Sequence, residues 1–237
     1  MSLLNPYAGH HKLETLFSRG VDFTNCVLYA PLWHPRSKVS PFVSFDKTGH
    51  TITVTSATWT PPYGYTLDGI DDKIAGDVLA VPTNMTFEAV LSVSDAGVRI
   101  IWAADVVGGY PGFLIYFNGT SLLFAIDQDA GSRRQWSCIY GIANGTRLHM
   151  VITQTGLDAP SMYINSVAKS VTLITDIGGF PTKPTQRWYF GANQAGTMNF
   201  YKGVISEIKI DSAVITQAQV TQHYLSVKRR LPWANLP

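Results

Sequence analysis

The chain has 237 residues, 46% of them hydrophobic and 14% charged, which supports one sizeable core and excludes a disordered chain. Its acids are 13 Asp against 3 Glu (Glu14, Glu88 and Glu207), with 20 Gly, 13 Pro, 6 Trp, 11 Tyr and 11 Phe, a balance that favours turns and strands over helices. The formal charge of +2 comes from the tail (Lys228, Arg229, Arg230), because Val27 to Leu225 carries 13 Lys+Arg against 14 Asp+Glu; a basic nucleic-acid-binding face is therefore not expected.

Residues 1–25 mix charges, Gly and a short apolar stretch around Leu13, Leu16 and Phe17, and read as an arm. Polar residues interrupt the N-terminus too early for a signal peptide, and no apolar run reaches the about 18 residues of a membrane span. From Val27 the pattern has period two. Strands are expected around Ile52–Trp59, Phe87–Val93 and Val98–Trp102. Two Asn-Gly pairs then predict tight type I′ hairpins. Asn118-Gly119 would join 113–117 to 121–126, and Asn144-Gly145 would join 135–140 to 147–153. Asn84-Met-Thr, Asn118-Gly-Thr and Asn144-Gly-Thr also spell glycosylation acceptors, a reading set aside without a leader peptide. Further strands are expected at 161–165, 167–174, 187–190 and 200–210. Thr216-Gln-Ala-Gln219 is a capping box with Ile215 and Val220 in staple positions, and Val220, His223, Tyr224 and Val227 give the helix that follows one sticky face. Leu231-Pro232-Trp233 reads as part of an extended tail. Twelve or more short strands, no repeat and no linker describe one all-β domain, an antiparallel sandwich or barrel. Cys26 and Cys138 are expected to be separate thiols, and His10-His11 is a poor chelate.

Catalytic chemistry finds little support. A retaining glycosidase needs two carboxylates about 5–5.5 Å apart. Glu207 and Asp211 stand four residues apart, about 13 Å along a strand, with Lys209 between them on one face. Glu207 is therefore expected to be a solvated strand residue paired with Lys209 or a neighbour. There is no Gly-x-Ser-x-Gly elbow, Cys138 and His149 lack an orienting group, and the Gly-rich stretches precede no helix. Asp127-Gln128-Asp129 has the alternating oxygens that open a calcium loop but no later bidentate acid. Trp102, Tyr110, Trp136 and Tyr140 fall near expected strand ends, where aromatic faces could stack on sugars; filling the core is the competing use.

Four segments carry a resemblance. Leu67-Asp-Gly-Ile-Asp-Asp-Lys-Ile74, Leu148-His-Met-Val-Ile-Thr153 with Met162-Tyr-Ile-Asn165, Phe200 to Ile210, and the helix from Thr216 to Tyr224 resemble, in order and spacing, the motifs of laminin-G-like domains in the concanavalin A-like lectin/glucanase superfamily. Ser166 stands where that family has Gly, and Arg147-Leu148 where it starts a strand with Trp-His. The resemblance implies a jelly-roll β-sandwich of two antiparallel sheets with one short C-terminal helix; with the arm and tail read from the residues, the expected domain bounds are 1–25 (arm), 26–226 (sandwich) and 227–237 (tail). It also raises calcium at the sandwich rim, with Asp105, Asp127 and Asp129 as candidate ligands; no other cofactor is expected. Leu28-Tyr-Ala-Pro-Leu-Trp33 is similar to an opening strand of such domains in tailed-phage and environmental viral proteins.

The expected function is adhesion or assembly without catalysis. The leading version is a virion structural protein, such as a capsid decoration or tail component, on a virion or extracellular surface. It would contact copies of itself or other surface proteins through residues 1–25 and 226–237, with no nucleic acid and no membrane. The alternative is a lectin-like module recognising a glycan; a glycoside hydrolase is the remote one.

Overall fold

Strands form almost wherever apolar and polar residues alternate, but which sheet each strand joins is decided by the other layer. A computed structural model describes residues 21–80, 82–106, 110–129, 132–177, 185–193 and 197–237. The expected arm therefore lies outside the described residues except for 21–25.

The described strands are β1 (Cys26–Ala30), β2 (Phe42–Val43), β3 (Thr51–Thr55), β4 (Thr58–Thr60), β5 (Gly64–Asp68), β6 (Lys73–Ala80), β7 (Asn84–Val93), β8 (Arg99–Val106), β9 (Tyr110–Asn118), β10 (Ser121–Asp129), β11 (Ser132–Ile139), β12 (Arg147–Thr155), β13 (Ser161–Ile164), β14 (Val167–Lys169), β15 (Thr172–Ile177), β16 (Thr185–Phe190) and β17 (Lys202–Asp211). One sheet runs β14-β13-β12-β7-β17-β5-β4, with β1 also paired to β17; the other runs β15-β11-β10-β9-β8-β16-β6-β3-β2. Every described pairing is antiparallel. The chain is thus the expected two-sheet antiparallel β-sandwich with a C-terminal helix.

Between the sheets runs an aromatic ladder. Phe87 stacks on Trp102 at 5.3 Å, Trp102 on Phe113 at 6.1 Å, Phe113 on Phe124 at 6.2 Å and Phe124 on Trp136 at 6.1 Å. Offset stacks of this kind add to the burial of large rings. Gly203 has φ 146°, and a Cβ there would lie 1.9 Å from the Ser92 carbonyl oxygen. Only glycine lets β17 approach β7 so closely.

The first Asn-Gly hairpin forms, shifted by one residue. Asn118 pairs with Ser121, leaving Gly119-Thr120 as the loop, and of these two only Gly119 has positive φ, 60°. That is the Gly-X turn, not the Asn-Gly one. The second expected hairpin does not form. Strand β11 pairs with β10 and β15, whereas β12 pairs with β7 and β13, so Asn144-Gly145 sits in a crossover between sheets. Trp136 and Cys138 on one side, and Leu148, Met150 and Ile152 on the other, face the same core from opposite layers; a hairpin would have laid both sets in a single sheet. Likewise 167–174 is not one strand. It leaves one sheet after Lys169 and enters the other at Thr172. Asn165 and Ser166 both take positive φ, 52° and 63°, so a tight turn forms with serine in the glycine position.

Helix α1 (Gln217–Arg230) carries the full capping box on Thr216 and Gln219. Ile215 packs with Val220, Val151 and Tyr163, the expected staple. The tail expected to extend from 227 does not. The helix runs to Arg230, a 3-10 turn spans Pro232–Ala234, and Leu231, Ala234 and Leu236 are buried with Val90, Tyr224 and Val227. Trp233 meets Tyr63 edge-on at 5.5 Å, and Arg147 lies 4.1 Å from the Tyr63 ring centroid. Apolar residues at every second or third position of 231–236 had no role in an extended reading; the outer face of β7 supplies one.

Candidate functional site

Two features compete for function: a charged layer under α1 and a cleft on the outer face of the nine-stranded sheet.

The charged layer replaces the expected solvated Glu207. That side chain is buried. Its Oε1 accepts from Arg230 Nη2 at 2.8 Å, and its Oε2 accepts from Arg230 Nη1 at 2.8 Å, Trp33 Nε1 at 3.1 Å and the Tyr29 hydroxyl at 3.2 Å. Lys209 pairs with Asp211 instead, at 2.6 Å. Strand β7 brings Glu88 opposite Lys209, and Glu88 bridges two histidines: Oε1 to His149 Nε2 at 2.8 Å and Oε2 to His223 Nδ1 at 2.9 Å. Burial opposes charge on Glu88, but the histidine hydrogen bonds hold its carboxyl well below the usual range. The same contact raises the His223 imidazole. Burial pushes the Asp211 carboxyl up.

Two glutamates therefore do converge, contrary to the expectation that Glu207 has no carboxylate companion. The expectation compared residues along one strand, and the companion arrives from the neighbouring one. The cavity that Glu88 and Glu207 line with Val21, Lys209, His223 and Arg230 is about 10 Å³, room for about one water and far too small for a sugar. Each carboxylate oxygen of the pair accepts a hydrogen bond from a protein donor. This layer docks a helix. A wider groove of about 530 Å³ lies beside it, walled among the described residues by Val21, Asp22, Gln219, Gln222, His223, Ser226 and Arg229.

The cleft on the other sheet has an apolar floor and an aromatic ring. Its volume is about 360 Å³, within the range of small-ligand sites. Outward-facing alternate residues build the floor: Ile100 from β8, with Leu114 and Tyr116 from β9. Asn118 ends β9 at one side, and Arg133 reaches in from β11. Arg133 is held by a two-pronged pair to Asp127, 2.8 Å at each contact, while its own side chain stays 40% exposed. Asn193, Met198 and Asn199 close the far wall. Asn193 Oδ1 accepts from the amides of Thr197 and Met198, and the Asn199 carbonyl accepts from the Ile100 amide at 3.1 Å, so the loop is tied to β8. An apolar floor with one aromatic ring, three carboxamides and a fixed guanidinium suits a polar, ring-shaped ligand.

Three of the expected site residues lie in the core. Trp102, Trp136 and Tyr140 are core residues, 0%, 3% and 3% exposed. The first two belong to the aromatic ladder; Tyr140 meets Phe117 edge-on at 4.8 Å and donates to the Gly119 carbonyl. A large apolar ring on the inward face of a sandwich strand gains more from the core than from a rim. Tyr110 begins β9, but its side chain, like those of Asp105 and Asp129, lies outside the described residues. Asp127 is buried against Arg133 and not in a loop, since β10 continues through it. Carboxylate oxygens of Asp68, Asp71 and Asp72 lie within 4.8 Å of one another. Asp68 and Asp72 serve their own turn there, accepting from the amides of Ile70 and Asp68 at 2.7 Å each. Cys26 and Cys138 are buried thiols on different sheets. Burial pushes Cys138 up to about 11, so it is no nucleophile at neutral pH. No helix among the described residues is long and apolar enough to cross a membrane.

Comparison with known proteins adds fold. No family model matches the chain, and no curated protein matches it. Among solved structures, the receptor-binding domain of botulinum neurotoxin C/D mosaic serotype superposes with a TM-score of 0.67 at 12% identity, over 86% of this chain and 52% of that one. The type G receptor-binding domain gives 0.63 at 13%, over 85% and 51%. The serotype D ligand-binding domain in complex with N-acetylneuraminic acid gives 0.64 at 11%, over 85% and 50%. The chain thus spans about half the length of these neighbours. The shared part is the two-sheet β-sandwich, and these neighbours are described as receptor-binding or ligand-binding domains.

Proposed function

We propose that this chain is a non-catalytic recognition module that binds a glycan in the cleft on the outer face of the nine-stranded sheet. The observation that carries this reading is the cleft itself: the apolar floor of Ile100, Leu114 and Tyr116 under Asn118, Asn199 and the Asp127-held Arg133. Sugars present an apolar ring face and a rim of hydroxyls, and this lining offers a surface for each. The fold shared with receptor- and ligand-binding domains, one of them complexed with N-acetylneuraminic acid, supports the class of function. The assembly reading draws on residues 1–25 and 226–237; the first segment lies outside the described residues except for 21–25, and Leu231, Ala234 and Leu236 of the second are folded onto the sandwich. The lining of the cleft is what puts glycan recognition first.

A glycan array screened with and without chelator is the test. At least one class of glycan is expected to bind, and Tyr116→Ala or Asn118→Ala to weaken it by at least about tenfold, or 1.4 kcal/mol. The ligand is expected to be recovered uncleaved. Silence across the array in both conditions, or binding indifferent to both substitutions, overturns the reading.

A further inference from the structure

Among the described residues, the lining of the cleft on the nine-stranded sheet holds one cation, Arg133, and no acid. Asp127 stands directly opposite Arg133 on β10. It is not part of the lining, and its side chain is 3% exposed. Its Oδ1 accepts from Arg133 Nε and its Oδ2 from Arg133 Nη2, at 2.8 Å each. Both carboxylate oxygens are thus engaged, and the pair as a whole is neutral. A guanidinium has five N–H groups. Two go to Asp127, and the other three, both of those on Nη1 included, have no acceptor among the described residues. The remaining polar lining is carboxamide, from Asn118, Asn193 and Asn199, and Asn193 Oδ1 is taken by the amides of Thr197 and Met198. Residues 107–109, 130–131 and 194–196, which adjoin these strands and the far wall in sequence, include no Lys or Arg.

We infer that the cleft selects uncharged glycans over acidic ones, with Arg133 as a directional donor to a hydroxyl or acetamido oxygen and Asp127 as the positioning residue that cancels its charge. This rests on the glycan reading above and names the ligand class for it. An unpaired guanidinium suits a carboxylate or sulfate because it offers a two-pronged contact together with a full charge. Here one two-pronged face is occupied by Asp127, and an acidic group arriving at Nη1 meets the Asp127 carboxylate close behind it. The attraction of an ion pair for a third charge is the small difference between two opposed terms. A neutral oxygen meets no such repulsion. The ion pair also holds the donors in place, so little side-chain freedom is lost on binding. The apolar floor favours the same ligand. Leu114 and Tyr116 offer cover for the CH face of a sugar ring, and a neutral ring gives up less hydration than a charged one on leaving water. N-acetylneuraminic acid, the ligand of the serotype D domain, is therefore expected to bind here less well than a neutral sugar.

Matched pairs of glycans test this by calorimetry on the full chain: each neutral glycan beside its sialylated and its sulfated form, from about 50 to 500 mM NaCl. The neutral member is expected to bind at least about tenfold tighter, with an affinity that changes less than about twofold across the salt range. Asp127→Asn keeps the size of the side chain and uncovers the charge on Arg133. The acidic members are then expected to gain at least about fivefold at low salt, and the gain to fade at high salt. Leu225→Lys also adds one positive charge, but on α1 against the other sheet, where Leu225 is 45% exposed; it is expected to leave the discrimination unchanged. The pairs measured on the unaltered protein need no variant. Acidic members that bind as tightly as their neutral partners, with Tyr116→Ala still abolishing them, overturn this inference and leave the cleft standing. So does an Asp127→Asn protein that discriminates as the unaltered one does. No binding by either member of any pair removes the glycan reading itself, and this inference with it.

Discussion

Arg230→Ala is expected to lower stability by about 3–5 kcal/mol, the usual cost of leaving one member of a buried ion pair alone. The Arg230 and Glu207 side chains are 11% and 5% exposed, so water cannot replace the lost guanidinium. Two neutral donors, Tyr29 and Trp33, would be left to face a buried anion. The loss falls on the docking of α1, and with it on the 231–236 segment packed against Val90. Urea unfolding checks this through the midpoint at unchanged slope. The paired change Glu207→Gln with Arg230→Met keeps an acceptor for Tyr29 and Trp33 while removing both charges, and is expected to be less damaging than Arg230→Ala alone. If Arg230→Ala shifts stability by less than about 1 kcal/mol, the value of an exposed pair, the layer under α1 is wetter than its geometry implies.

The second large effect depends on pH. The layer holds Glu88, Glu207 and Asp211 against Lys209 and Arg230, one negative charge in excess, and a proton on His223 cancels it. His223 titrates above its ordinary 6.5 because it donates to Glu88. Its contribution is therefore complete below 6.5 and is lost as pH rises through the raised value. Glu88 has the opposite sign. Burial works against its charge, yet the two histidines hold it well below 4.5, so its contribution is complete above 4.5 and lost as pH falls through the depressed value. Both are whole only between about pH 4.5 and 6.5. Asp211, raised by burial, works against Glu88 on the acid side and softens that limb. His223→Gln is expected to lower stability by about 1.5–3 kcal/mol at pH 6, the worth of a charge-assisted hydrogen bond, and by clearly less at pH 8. Urea midpoints measured across pH 5–8 decide it: parallel curves for the two proteins would mean that His223 carries no proton in the fold.

How much of this could be read from the sequence depended on the range of the interaction. The capping box at Thr216–Gln219 is local chemistry and was legible to the residue. So was the alternation that makes strands of 84–93 and 202–211. Which layer a strand joins was not. Asn144-Gly145 has the residues of a hairpin, yet Gln135–Ile139 and Arg147–Thr153 enter different sheets, because alternation fixes the inward side chains without saying inward from where. The same ambiguity hid which residues of β9 face outward. Phe113-Leu-Ile-Tyr-Phe117 is apolar at both parities, so nothing local marks Leu114 and Tyr116 as the outward set. The larger aromatic rings, Trp102 and Trp136, drew attention to the core side. The charged layer was hidden for a related reason: Glu88, His149, Glu207 and His223 lie up to 135 residues apart, and only the pairing of β7 with β12 and β17 under one helix assembles them. A lysine two residues from Glu207 suggested a partner that Asp211 takes instead.

On the proposed reading, recognition takes place on the outer face of the nine-stranded sheet. The most direct measurement is a methyl-NMR titration with the best glycan from an array, following Ile100, Leu114 and Met198 in the cleft against Ile205, Ile208 and Val227 elsewhere. Saturable shifts confined to the first three, abolished by Tyr116→Ala, are the expected result. Shifts that cluster instead along α1 and the groove beside His223, with the first three methyls unmoved, would contradict the account.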